Sequence, residues 1–221
     1  MERQINMEEI SDGKRYGLND MVKADCGDCK GCFACCQGMG NSIVLDSLDV
    51  YRLTTGMNCR FEDLLNRHLD LNVVDGIILP NLKMSGDNER CTFLNEEGRC
   101  SIHAIRPGIC RIFPLGRIYE EQSFQYFLQI HECAKKNRTK VKVKKWIDTP
   151  QTAKNEEYII HWHYFLKAVE EKIKQWTEER IKQVNMYILN VFFITLYTTE
   201  RDFYEQFEER LQHAKEFCFS E

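Results

Sequence analysis

Cysteines are the residues of this chain most able to do chemistry, and ten of its eleven lie between Cys26 and Cys133. Five crowd into CGDCKGCFACC as Cys26, Cys29, Cys32, Cys35 and Cys36, whereas Cys91, Cys100, Cys110 and Cys133 form a looser second group. Cys59 and Cys218 stand apart. A C-x2-C pair wraps its backbone around one ion, aiming both thiolates at the metal while nearby amides donate to the sulfurs. That spacing recurs three times in the first group. Cys26, Cys29, Cys32 and Cys36 have the C-x2-C-x2-C-x3-C spacing of bacterial ferredoxins, whose fourth Cys serves the other cluster when two are present. Gln37 stands where such runs usually carry Pro. Cys29, Cys32, Cys35 and Cys36 give a second register, CxxCxxCC, whose adjacent pair suits two neighbouring metals better than one mononuclear site because neighbouring side chains diverge. Gly27, Gly31, Gly38 and Gly40 suit tight backbone paths around a metal. Inert buried thiols explain the repeated ligand spacing poorly. The two groups together suffice for two four-coordinate sites or two cubane clusters, so that metal would fasten distant segments and couple folding to loading.

A metal held by four thiolates carries net negative charge and is costly to bury without compensating donors. Arg99, Arg106, Arg111 and Arg117 lie close in sequence to Cys100 and Cys110 and answer that need, by contacts to sulfur or to carbonyls around the site. Arg106 and Arg111 are the arginines assigned to the cofactor. The competing role is an anion pocket for phosphate or a carboxylate. His103 and His131 lie near cysteines, yet solvated or core-satisfied histidines are the commoner case, and both stay outside the ligand set. His161 and His163 fall in an expected helix, where an i, i+2 pair points about 200° apart, and read as helix-surface residues. Cys59 and Cys218 read as ordinary buried cysteines, and no nucleophile–base pattern can be assigned.

CxxCxxCC at 29–36, followed by CTFLNEEGRCSIHAIRPGICRIFPLG at 91–116 and by Cys133, resembles the YkgJ-like cysteine-cluster family, described as a zinc- or iron-chelating domain. The likeness covers roughly residues 24–135, including Leu45 to Thr55, where that family places a short helix. It implies that Cys29, Cys32, Cys35, Cys36, Cys91, Cys100, Cys110 and Cys133 are metal ligands, with Arg106, Pro107, Arg111 and Pro114 in an Arg-Pro framework. Cys26 is an addition to that pattern. The cysteine domain is also similar to one in FliB-type flagellin lysine N-methylases, which implies an iron-sulfur cluster and, more remotely, S-adenosylmethionine chemistry. This chain is short for such a methylase, and Gly38-Met39-Gly40 is too common a motif to mark a nucleotide-like cofactor.

Elements must position these thiols, and 221 residues at 43% hydrophobic content can bury a core to do so. A formal charge of -4 excludes a global attraction to nucleic acid or anionic membrane. The opening MERQINMEEI lacks the pattern of a signal peptide, and the apolar run from Ile188 to Tyr197 is too short to span a bilayer. A cytoplasmic protein is expected. The organisation expected is a polar lead-in over 1–23, a cysteine-cluster metal-binding domain over 24–148, and a helical region over 149–221 packing on it. The fold class is α+β: a small irregular cysteine-rich domain with short helices and hairpins, then C-terminal helices.

Apolar spacing predicts short helices over Leu45 to Leu53 and Phe61 to Leu69, and Asp75-Gly76 predicts a hairpin turn. A second hairpin is expected over 116–130, turning at 120–123, and another across Cys91 to Cys100. Lys-Val alternation over 140–144 suits a strand with lysines on a solvated edge. Thr149-Pro150 reads as the N-cap and first position of a long helix, followed by amphipathic stripes through Ile181 to Phe192 and Asp202 to Phe217.

The expected function is metal binding through clustered cysteines, as an iron-sulfur cluster (4Fe-4S) or zinc, in a redox or electron-transfer module. The partners are the metal and a protein redox partner or substrate, with no membrane contact and no nucleic acid. The alternative is a cluster-dependent enzyme, such as a FliB-like protein lysine N-methyltransferase using S-adenosylmethionine.

Overall fold

The computed structural model describes residues 6–27 and 32–220. In chain order its elements begin with α1 (Met7–Ile10), β1 (Met21–Asp25), α2 (Ser47–Met57), α3 (Phe61–Arg67), β2 (Leu69–Val74), β3 (Ile77–Leu82), β4 (Met84–Ser85) and β5 (Arg90–Cys91). There follow α4 (Gly108–Ile112), β6 (Leu115–Glu120), β7 (Ser123–Leu128), β8 (Thr139–Lys142), α5 (Val143–Ile147), α6 (Thr152–Ile173), α7 (Glu178–Leu189) and α8 (Phe203–Phe219). The strands pair as two-stranded antiparallel ribbons, β1 with β8, β2 with β3, β4 with β5 and β6 with β7. This is the α+β fold with C-terminal helices that the sequence implies.

The described residues fall into two compact units, 6–43 with 83–152 and 44–82 with 153–220. Every described candidate ligand lies in the first unit; Cys59 and Cys218 lie in the second.

The core of the first unit joins Tyr16, Val22 and Ala24 to Ile112, Leu115, Tyr126, Leu128, Val143 and Ile147. Its β6–β7 hairpin turns at Glu121 and Gln122, both at positive φ (49° and 59°), the backbone that matches the twist of the flanking strands. The expected lead-in is structured here. Ser11 bridges Gln129, Tyr16 bridges Tyr126, and β1 pairs with β8. Its apolar residues are too sparse to show a period, because single backbone bridges hold them. Lys140 and Lys142 are exposed on β8 as expected, but Lys144 belongs to α5.

In the second unit, Asp46 and Asp49 form a reciprocal cap that starts α2. The β2–β3 turn lies at Asp75 and Gly76, with φ of 50° and 83°. Buried Asn185 of α7 donates to the Gly76 and Ile181 carbonyls at 3.1 and 3.0 Å and accepts from the Ile78 N–H at 2.5 Å, satisfying the hairpin backbone. Aromatic rings fill the core: Trp162 meets Phe192 edge-on at 4.9 Å and Tyr158 meets Phe207 at 4.5 Å.

Two local readings are corrected. α6 starts at Thr152, not at Thr149-Pro150, because Gln151 takes a left-handed φ of 52° that no helix can include. His163 is not a surface residue: it is 5% exposed, on the face of α6 that carries Ile159 and Trp162 inward, whereas His161 is partly exposed and pairs with Glu208 at 2.6 Å. Among the described residues, no helix is long and apolar enough to cross a membrane.

The fully buried Tyr158 hydroxyl lies 3.1 Å from the Ser47 hydroxyl and accepts the Leu48 N–H at 3.0 Å. Tyr158→Phe strands both groups and should lower stability by about 1–3 kcal/mol in urea unfolding.

Candidate metal centre

Backbone pairing sets the thiols before any side chain does. Residues Ala34–Cys36 form a single 3-10 turn, closed by the Cys36 N–H donating to the Phe33 carbonyl at 2.9 Å. Beyond it Gln37 bridges Arg90, and the Gly38 N–H donates to the Glu89 carbonyl at 3.0 Å. The vicinal cysteines are therefore laid beside β5, which ends in Cys91. From Cys91 the chain turns back so that Leu94 bridges Cys100, with the Asn95 N–H donating to Arg99 at 2.9 Å and the Ser101 N–H to Phe93 at 2.8 Å. Gly98, at φ 72°, closes this loop beneath Phe33; a β-carbon there would stand 2.7 Å from the ring. Only glycine permits that approach.

Four sulfurs result that sense one another. The Cys36 thiol donates to Cys35, Cys36 feels the charge of Cys91 and Cys100, and Cys91 feels Cys100 and Cys35. Cys35 is drawn down to about 7, chiefly by that hydrogen bond against the opposing effect of burial, with help from the Arg106 guanidinium. Cys36 is pushed up, first because it gives its proton to that bond and then by burial. Burial raises Cys91 and Cys100 as well, Arg106 and Arg99 partly offsetting it at Cys100. Cys91 is 7% exposed.

The arginines divide their work. Arg106 pairs through Nη1 with His103 Nε2, while its own Nε is buried with no hydrogen-bond partner among the described residues. Such an orphaned donor costs free energy unless an acceptor arrives, and a thiolate beside it is one. Arg111 is buried and acts on the main chain: Nε donates to the Arg106 carbonyl at 3.1 Å, Nη1 to Asp148 at 3.2 Å, and Nη2 to Ala104. Arg117 lies over the Phe124 ring at 5.5 Å.

Cys35 also shares a cleft of the same unit with three further thiols. Cys26, Cys32, Cys35 and Cys133 line it, with Ala34, Phe113 and Pro114 as an apolar wall and Glu132 and Lys135 beside them. Trp146 Nε1 donates to the Ile112 and Phe113 carbonyls at 3.2 and 3.1 Å and so fixes that wall. Cys110 sits half-buried in α4. Cys29 lies outside the described residues. Among the described residues, no three Cys, His, Asp or Glu side chains already converge as a set able to hold an ion. Of the remaining cysteines, Cys218 is buried and pushed up to about 11 by burial, and Cys59 is half-buried and raised for the same reason. His131 is exposed.

Spacing alone could not reveal the Gln37–Arg90 bridge, the Phe33–Gly98 contact or the Trp146 bonds, since each depends on chain return. The donor set itself fits a soft or borderline metal: clustered, partly buried thiols beside a guanidinium with an unused donor. Residues 28–134 match the model of the family described as "CxxCxxCC: Putative zinc- or iron-chelating domain". No curated protein and no solved structure matches the chain.

Two outcomes follow from this geometry. Arg111→Gln cannot reach all three carbonyls and should cost about 1–3 kcal/mol in urea unfolding while leaving metal stoichiometry unchanged. Because Cys36, Cys91 and Cys100 hold their protons above the usual thiol range, metal uptake must expel them. Apparent affinity should therefore fall as pH is lowered through neutrality, by about tenfold per pH unit for each proton released, in chelator-competition titrations.

Proposed function

We propose that this chain, whose residues 28–134 match the model of the CxxCxxCC zinc- or iron-chelating domain, holds a metal ion through Cys35, Cys36, Cys91 and Cys100. One observation carries this reading: the adjacent Cys35 and Cys36 thiols are hydrogen-bonded to one another. Two corners of a tetrahedral thiolate site with bonds of about 2.3 Å stand about 3.8 Å apart, a separation that a thiol–thiol hydrogen bond allows. Bound there, zinc or iron(II) would fasten the 32–36 run to the 91–100 loop, with Arg106 offsetting the charge and Arg111 holding the carbonyls around it.

A second reading, paired iron-sulfur clusters with an electron-transfer role, has its own support. In the ferredoxin register Cys26 and Cys32 line the cleft, whereas Cys36 stands with Cys91 and Cys100, as when the fourth cysteine of the run serves the other cluster. A protein redox partner would then be required. The methyltransferase alternative rests on resemblance alone.

Metal and acid-labile sulfide should be counted on protein purified without oxygen or added metal. Stoichiometric metal without sulfide, reduced by one equivalent in Cys91→Ser, is the expected result. Iron with matching sulfide and a brown chromophore would replace it with the cluster reading, and undiminished metal in Cys91→Ser would refute both.

A further inference from the structure

We infer that the outer face of the β1–β8 ribbon is a docking surface for duplex DNA, held through lysine contacts to its phosphates. The inference is independent of the metal-binding reading above. Residues 135–145 carry seven lysines and arginines and no acid, in a chain whose formal charge is -4. Charge so unevenly distributed acts locally, whatever the net sign.

The ribbon turns part of that run into one face. Met21 pairs with Lys142 and Val22 with Val141, and alternation sends Val22, Ala24 and Val141 to the core, so Met21, Lys23, Lys140 and Lys142 project from the opposite side. Exposed Lys144 and Lys145 continue the charge into α5, whose start is fixed by the Val143 N–H donating to Asp20 at 3.0 Å and the Lys144 N–H to Leu18 at 2.9 Å. Lys23, Lys140, Lys142, Lys144 and Lys145 make no ion pair among the described residues, whereas Lys154, Lys167, Lys174 and Arg201 of the second unit each meet a carboxylate at 3.3 Å or less. The nearby acids serve the main chain: Asp20 accepts the Gly17 N–H at 2.7 Å and Asp25 the Gly27 N–H at 3.0 Å. Arg138 adds a cation whose Nη1 is buried with no hydrogen-bond partner among the described residues. Like charges on facing strands repel, and an anion laid across them relieves that cost.

The exposed side chains of the ribbon, Met21, Lys23, Thr139, Lys140 and Lys142, select the anion. Protein interfaces are depleted in lysine and centre on aromatic or aliphatic anchors, which Met21 alone does not supply, and the same lack disfavours insertion into a bilayer. A single strand needs rings on which bases stack, and Trp146 is half-buried with its Nε1 committed to the Ile112 and Phe113 carbonyls. Phosphates need only ammonium groups at regular intervals, here about 7 Å along each strand. The major groove of B-form DNA, about 12 Å wide, admits a two-stranded ribbon, whereas that of duplex RNA is too deep and narrow. With no arginine or amide side chain exposed on the ribbon, binding carries no base preference.

The test is fluorescence anisotropy of a labelled short DNA duplex, titrated with the full-length protein as purified at several salt concentrations. Five phosphate contacts give log affinity against log salt a slope of about −4.5, the same for a scrambled duplex. Lys140→Gln with Lys142→Gln should weaken binding at least about tenfold at low salt and make the slope shallower by about 2. Lys144→Gln with Lys145→Gln should act in the same direction. Lys172→Gln with Lys215→Gln removes equal charge from exposed sites of the second unit and should leave affinity and slope as in wild type. No binding by wild type at low salt, or wild-type affinity and slope in both ribbon variants, overturns the inference. Polyglutamate or phosphatidylserine vesicles bound as tightly as the duplex also overturn it, assigning the face to an acidic protein or to a membrane. Metal content counted in the same variants should match wild type, which keeps this outcome separate from that of the proposed thiol site. Should either ribbon variant fail to fold by circular dichroism, the other decides.

Discussion

Four thiols held close together and partly out of water can lose only some of their protons before their charges repel, and this constraint governs the cysteine-bearing unit. Cys35 is favoured as thiolate by the proton of Cys36 and by Arg106, Cys36 is held protonated by giving its proton to that bond, and burial above all keeps Cys91 and Cys100 protonated. On the proposed reading, a divalent ion would replace those protons with a stronger attraction and supply charge that burial otherwise forbids. The unpartnered Arg106 Nε points to the same conclusion, because a buried donor is tolerable where an anionic acceptor will stand.

The surrounding fold supplies the rigidity that a thiol cluster cannot. Arg111 gathers the carbonyls of Ala104, Arg106 and Asp148, and Trp146 gathers those of Ile112 and Phe113. Single bridges, Gln37 to Arg90 and Leu94 to Cys100, set register where strands are too short to do so. Small ribbons and side-chain bonds to carbonyls thus replace the large sheet that would normally fix ligand positions.

Much of this was legible from residue order. The Asp75-Gly76 turn, the 115–128 hairpin and the amphipathic stripe of α6 each declare themselves through local chemistry and period, and each is present. Local cues misled where the backbone departed from them: Gln151 adopts a left-handed φ and delays α6, and a polar histidine at position 163 turns inward because the helix phase puts it there. Ligand identity was proposed from spacing, but the way the run at 32–36 meets residues 90–100 through unpatterned single bridges was not readable. Of the arginines near Cys100 and Cys110, Arg106 acts electrostatically on Cys35 and Cys100, and Arg111 donates to carbonyls.

The most direct measurement is an anomalous difference map, collected at the edge of the metal found in crystals of protein purified without oxygen. The account predicts a peak bonded to the sulfurs of Cys35, Cys36, Cys91 and Cys100. A metal peak bound elsewhere, with those four sulfurs left as thiols, would contradict it.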